Sequence, residues 1–222
     1  MKLRYESLLP FYHWMWKHWR ARRWKRFLME IQPMPSDLIL DVGVNPSDWA
    51  DKRDAIPRID LLNLVENKPL SGANHPEMLC MAGDGRALPF ADASYDIVYS
   101  NSVIEHVGEI EQQEEFAREL SRVGKRLWIQ TPAWECPVEP HYLGLFFHWL
   151  PRRWHILFAR WFSVVGLTKA ADLESIATTT RLIRKREFRQ LFPDCRILTE
   201  RFLFVFPKSY IAVRRIEKEA SK

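Results

Sequence analysis

Several residues of this chain stand where chemistry could be done. The apolar run Leu38-Ile39-Leu40 closes on Asp41-Val42-Gly43, an acid and a glycine at the end of a buried strand, the place where an open α/β sheet takes its ligands. Alone, that run is equally a strand and a turn. Further on come Gly83-Asp84-Gly85-Arg86, then Ser100-Asn101 and Glu105-His106, each just past another apolar run. His106 opens the segment after the fourth such run, and an imidazole near neutral pH can take a proton from a hydroxyl. Its competing role is to shape a pocket wall. Glu139 and His141, in the Pro-bounded stretch Pro137–His141, are a second acid–base candidate, competing with a solvated loop. The histidines and the three cysteines (Cys80, Cys136, Cys195) have no ligand spacing, so no metal site is expected.

These residues must be carried by a scaffold, and the hydrophobic pattern supplies one. Short apolar runs alternate with longer polar stretches from Leu38 onward, which is how parallel strands joined by crossover helices read. The predicted strands are Leu38–Asp41, Ile59–Val65, Met78–Ala82, Asp96–Ser100 and Arg126–Gln130. Between the last two, Phe116, Leu120 and Val123 fall at i, i+4 and i+7, predicting a core-packing helix over Ile110–Val123. A short helix at Lys185–Leu191 and two extended segments, Arg196–Phe204 and Ser209–Val213, end the pattern as a hairpin. Ahead of all this, Pro10 can start a helix and Pro33 and Pro35 end it, predicting a helix over about Phe11–Ile31.

The run Gly83-Asp84-Gly85-Arg86-Ala87-Leu88-Pro89-Phe90-Ala91-Asp92, followed by Ser94-Tyr95-Asp96-Ile97-Val98-Tyr99-Ser100-Asn101 and Glu105-His106-Val107, resembles the class I S-adenosylmethionine-dependent methyltransferases of type 11. The resemblance extends over about residues 37–214 through Gln130-Thr131-Pro132, Pro137–His141, His148-Trp149-Leu150-Pro151 and Lys208–Val213. The later motifs are similar to a subgroup associated with polysaccharide and glycolipid biosynthesis. The family's glycine-rich first turn is here Gly43-Val44-Asn45-Pro46, with one glycine, as in that subgroup. The resemblance implies a Rossmann-like, doubly wound α/β sheet of about seven strands closed by an antiparallel hairpin. It implies a methyltransferase domain over 36–222 with a helical insertion at 141–175 over the acceptor site. It implies S-adenosyl-L-methionine as cofactor, held by Asp41, Gly43 and Val44 in the first turn, an acid after the second strand on the ribose diol, Asp84, Gly85 and Arg86 at the adenine, and Ser100 and Asn101 at the methionine end. Asp60 and Glu66 compete for the ribose, and Glu66 is chosen because it closes the apolar run and matches the subgroup's spacing. His106, Glu139 and His141 are the implied catalytic residues.

Residues 1–35 form a basic, aromatic extension: Trp14, Trp16, Trp19 and Trp24 lie among Lys17, Arg20, Arg22, Arg23, Lys25 and Arg26, in a chain of net charge +5. One reading of residues 11–31 is an interfacial helix on an anionic membrane. The other is a lid over the cofactor. Nucleic acid is not the expected partner, because no RNA-binding module accompanies the charge. Scattered cysteines, no cleavable leader and no spanning apolar stretch read as a cytoplasmic chain, with the inner membrane face as its docking place. The function read from the sequence is O-methylation of a sugar hydroxyl on a glycan or glycolipid. The alternatives are methylation of a small natural-product or quinone-like molecule, and a non-catalytic cofactor-binding partner.

Overall fold

In the computed structural model the described residues are 9–43, 49, 52, 56, 58–64, 78–139, 144–145, 149, 154, 180–202 and 205–215. The main sheet contains β1 (Ile39–Val42), β2 (Ile59–Asn63), β3 (Met78–Ala82), β4 (Tyr95–Asn101) and β5 (Gly124–Pro132). A two-stranded ribbon, β6 (Val138–Glu139) with β7 (Gly144–Leu145), stands apart, and β8 (Arg196–Phe202) and β9 (Phe206–Arg214) complete the sheet. Its order is β3-β2-β1-β4-β5-β9-β8, with β9 antiparallel to both its neighbours and the other pairs parallel. The winding reverses at β1 and β4. A crevice therefore opens at their carboxyl ends, the topological switch point of a doubly wound sheet.

Strand parity sorts the core into two layers, because successive side chains point to opposite faces. Leu40, Val42, Val98, Leu127, Ile129 and Ala212 face α2 (Ile110–Val123) and α3 (Lys185–Leu191), packing on Phe116, Leu120 and Phe188. α2 starts from a capping box, Glu109 and Gln112 satisfying each other's backbone donors, as that motif predicts. On the other face Ile39, Leu61, Ile97, Tyr99, Trp128, Ile211 and Val213 meet α1 (Leu9–Ile31).

α1 is seated by a few strong contacts. Phe27 is fully buried and meets Tyr99 and Trp128 edge to face, at ring-centroid distances of 5.2 and 5.5 Å. At the helix end Arg126 donates to the Ile31 carbonyl (3.1 Å) and pairs with buried Asp37 (2.6 Å). Eight residues earlier Arg23 binds the Glu200 carboxylate through Nε and Nη2 and donates to Gln130 Oε1 (2.7 Å). Arg126 begins β5 and Gln130 lies near its end, so α1 runs antiparallel to β5. The segment set apart in sequence thus shares a core with the sheet. The predicted second strand reaches Val65, but β2 ends at Asn63: its carbonyl accepts from Gly83 (2.7 Å) and Leu64 is 57% exposed. The predicted insertion at 141–175 falls almost wholly outside the described residues.

Around Glu200 lies a buried charge cluster. Ser209 donates to it and Lys208 stands 3.8 Å away, above the Trp19 ring at 3.9 Å. Burial pushes the Lys208 ammonium down to about 8, against the pull of Glu200. Burial also works to raise the Glu200 carboxyl, but Arg23, Lys208 and Ser209 together hold it below its ordinary value. The folded chain loses the Lys208 proton before the unfolded chain, whose lysine stays near 10.5. More protons are then bound unfolded, and this group's contribution to stability rises with pH across that window. Urea unfolding of the parent and of Lys208→Met, compared from pH 8 to 10, is expected to show their stability difference shift in the parent's favour as pH rises. A difference flat in pH would refute the depressed ammonium.

Candidate active site

A cavity of about 160 Å³ opens at the carboxyl ends of β1 and β4, smaller than the usual range for a whole ligand and suited to part of one. Asp41, Gly43, Tyr99, Asn101 and Ser102 form its floor, Trp49 and Lys52 one wall, and Arg20, Arg23 and Trp24 of α1 its roof. Parity explains the floor. Asp41, Tyr99 and Asn101 share the α1 face with Ile39 and Ile97, whereas Ser100 points the other way and donates to the Val42 carbonyl (2.9 Å). Ser100 therefore braces β4 against β1 and does not line the cavity.

The floor's backbone is held in conformations that only local constraint maintains. Gly43 has φ +85°, and a Cβ there would fall inside the Val103 side chain. Its N–H donates to the Leu62 carbonyl (2.8 Å). Ser102 has φ +54°, uncommon for a residue with a side chain and a hint of function where it recurs at a pocket. Its N–H bonds the Gln130 carbonyl (2.9 Å) and its hydroxyl donates to Gln130 Oε1 (3.1 Å). Gln130 is shared with Arg23, so the roof and the floor are linked by a single side chain.

The polar groups divide by sign. Asp41 is 2% exposed and accepts from Trp49 Nε1 (2.6 Å). Asn101 gives its Nδ2 to the Tyr99 hydroxyl, while its Oδ1 is buried with no hydrogen-bond partner among the described residues. A buried acceptor left over calls for a donor from a ligand. Opposite these acceptors stand Arg20 and Lys52, the latter over the Trp24 and Trp49 rings at 5.1 and 5.2 Å. Acceptors on one side and cations on the other fit a zwitterion.

Next along the sheet edge, Asp84 follows β3 with its carboxylate held by the Arg86 backbone N–H (2.9 Å) and guanidinium (2.6 to 3.0 Å). The Arg86 hydrogen bond keeps the Asp84 carboxyl below its ordinary value against some burial. Gly85 is buried where a Cβ would strike Phe116. Asp60 is used elsewhere: early in β2, level with Leu40, it accepts from the Tyr95 hydroxyl (2.9 Å). His106 ends a one-turn 3₁₀ helix (Ile104–His106), exposed, with Nδ1 3.3 Å from the Thr180 hydroxyl. Beside it, buried Glu105 accepts from Thr131 (3.0 Å). Glu139 lies in β6, and Val44, Glu66 and His141 fall outside the described residues. Among the described residues no group of three or more His, Cys, Asp or Glu could hold a metal.

Residues 60–127, from β2 into β5, match the model of a methyltransferase domain. Over this segment the chain is similar to a methyltransferase domain. Solved structures share its fold. A chain of the complex between the Haloferax volcanii Trm112 methyltransferase activator and a methyltransferase is 14% identical, with a TM-score of 0.56 over 95% of this chain and 92% of that one. Geranyl diphosphate C-methyltransferase from Streptomyces coelicolor, solved with S-adenosyl-L-homocysteine, is 13% identical, with a TM-score of 0.54 over 82% and 59%. A methyltransferase from Anabaena variabilis is 14% identical, with a TM-score of 0.51 over 87% and 82%. No curated protein matches the sequence. The cavity's acceptors and cations have the chemistry to hold the amino-acid end of S-adenosyl-L-methionine.

Sequence reading reached Asp41, Gly43 and Asn101 but missed the roof and wall, Arg20, Arg23, Trp24, Trp49 and Lys52. No motif marks them, since their place depends on how α1 docks. The two candidate ribose acids can be separated directly. Because Asp60 is bonded to Tyr95 away from the strand ends, Asp60→Asn is expected to leave S-adenosylhomocysteine affinity unchanged by calorimetry. Glu66→Gln is expected to lower that affinity about tenfold, the worth of one hydrogen bond to a charged group. The reverse ranking would move the ribose site to Asp60.

Proposed function

We propose that this methyltransferase moves a methyl group onto a sugar hydroxyl of a glycan or glycolipid. The observation that carries the site is the cavity at the switch point, where buried Asp41 and the leftover Asn101 Oδ1 face Arg20 and Lys52. Asp41 and Asn101 would take the ammonium of the cofactor's amino acid, and Arg20 and Lys52 its carboxylate. Asp84, ionised beside Arg86, would accept from the adenine amino group. When bound, S-adenosylmethionine supplies an electrophilic methyl whose sulfur leaves as a neutral thioether.

The protein's own part is then placement and proton handling. Most of the rate can come from holding an acceptor oxygen in line, because orientation replaces a bimolecular encounter. His106, on the exposed rim four residues past Ser102, would take the hydroxyl proton as the new C–O bond forms. The Thr180 hydroxyl lies 3.3 Å from Nδ1 and orients the ring. A sugar acceptor is favoured by the turn at Gly43–Pro46 and the motifs at Pro137–His141 and His148–Pro151, which resemble the polysaccharide subgroup. Trp134, just past β5, lies 5.9 Å from the Trp149 ring, and Trp149 is 42% exposed, giving aromatic surface on which a sugar ring could pack.

Incubating the purified chain with S-adenosylmethionine and a panel of glycans, sugar-terminated lipids, phenols and quinols tests this reading. The expected result is S-adenosylhomocysteine release with a sugar acceptor and a methyl ether in its mass spectrum. Release only with phenols or quinols would replace the acceptor class, and binding without release would leave a non-catalytic partner. Two substitutions separate the roles. Asp84→Ala should weaken S-adenosylhomocysteine binding by about 1.5–3 kcal/mol, a charged hydrogen bond's usual worth. His106→Gln should lower kcat about 10²-fold, a typical share for a positioned base, with KM and cofactor affinity unchanged.

A further inference from the structure

The first turns of α1 do something the cavity does not require. Arg23 is level with Gln130, and from there back to Trp14 is about 13 Å of helix at 1.5 Å per residue. β5 continues only to Pro132, about 7 Å further. The amino-terminal part of α1 therefore passes beyond the strand ends. The tip of the β8–β9 hairpin rises on the same side, joined to the helix where Trp19 meets Phe202 (5.9 Å). On this rim Trp14, Val205 and Phe206 are 57%, 64% and 43% exposed. Around them Lys17, Arg20 and Arg201 are exposed, Arg201 donating to the Val205 carbonyl (3.0 Å).

Among the described residues, the acids nearest the rim are engaged elsewhere. Glu200 is spent on Arg23 and Ser209, and Glu135 accepts from Tyr210 and the Lys185 N–H. Large apolar side chains held outward among cations are the composition of an interfacial anchor, and cations near an anionic lipid surface are drawn to it. We infer that the rim formed by the first turns of α1 and the tip of the β8–β9 hairpin docks on an anionic lipid bilayer. Nucleic acid fits less well, because aliphatic Val205 is the most exposed of the three apolar side chains (64%) and suits a lipid phase better than a base. The contact is peripheral: no helix among the described residues is long and apolar enough to cross a membrane. The inference goes beyond the acceptor reading and does not depend on it.

Sedimentation of the full chain with phosphatidylcholine vesicles, with and without phosphatidylglycerol, at low and high salt, tests the surface. The parent is expected to partition at least tenfold more strongly onto the phosphatidylglycerol vesicles, and to lose this preference at high salt as charges are screened. Two double variants address the two components: Lys17→Glu with Arg201→Glu, and Val205→Asp with Phe206→Asp. Each should partition at least fivefold more weakly than the parent, with S-adenosylhomocysteine affinity and melting temperature unchanged. Equal partitioning of parent and variants, or no preference for the anionic vesicles, overturns the proposal. Loss of cofactor affinity in either variant also overturns it, assigning the rim to the cofactor site. So does retention on duplex RNA without vesicle binding.

Discussion

Arg23 and Glu200 hold this molecule's functional half in place. Both side chains are 14% exposed, and withdrawing two charges from water is costly unless geometry and further hydrogen bonds offset it. Here the guanidinium engages the carboxylate through two nitrogens, a third nitrogen reaches Gln130, and Ser209 supplies another donor to Glu200. The pair spans 177 positions of sequence and clamps α1 to the antiparallel edge of the sheet. Without it a carboxylate would be stranded in the interior and the cavity would lose its roof, because Arg20 and Trp24 sit on the same stretch of helix. Binding site and core are thus built from one interaction.

The floor depends on a different device, main-chain bonds that turn the strand ends. Gly43 is fixed by Leu62 and Ser102 by Gln130, each bond running from the turn to a neighbouring strand. Two residues in the left-handed region are tolerated because the strands on either side over-determine them. A site mounted on strand ends keeps its geometry better than one carried by long loops. At position 43 the need for glycine is plain: the close approach is to Val103, and a Cβ there would collide with it.

Local pattern revealed the scaffold well and the site unevenly. The spacing of Phe116, Leu120 and Val123 fixed α2, and the apolar runs located each strand to within a few residues, because those signals arise from neighbours in sequence. β2 was overestimated since Leu64 and Val65 continue its apolar run, although Leu64 proves exposed. Ser100 shows what parity adds. Adjacent to Asn101 in sequence, it faces the opposite layer, and alternation along β4 would have separated the two. α1 was hardest to read. Among its described side chains the buried ones are Phe27 and Ile31 and the half-buried ones include Trp19, Arg23 and Trp24, so no clean stripe announced which face would dock. The charge of Arg23 suggested solvent, while its partner lay at the other end of the chain.

That separation bears on how the chain acquires its structure. α1 is synthesised before the sheet, yet Glu200, Phe202, Lys208, Ile211 and Val213, against which it settles, follow the parallel strands. Contacts so distant in sequence close slowly, since the loop entropy must be overcome before they form. Until β8 and β9 emerge, a helix rich in tryptophan and arginine has only part of its seat, Tyr99, Trp128 and Arg126, and Arg23 lacks Glu200. Intermediates exposing such surfaces are prone to aggregate. The order of synthesis thus makes the β8–β9 hairpin the step that completes both the α1 core and the cavity beneath it.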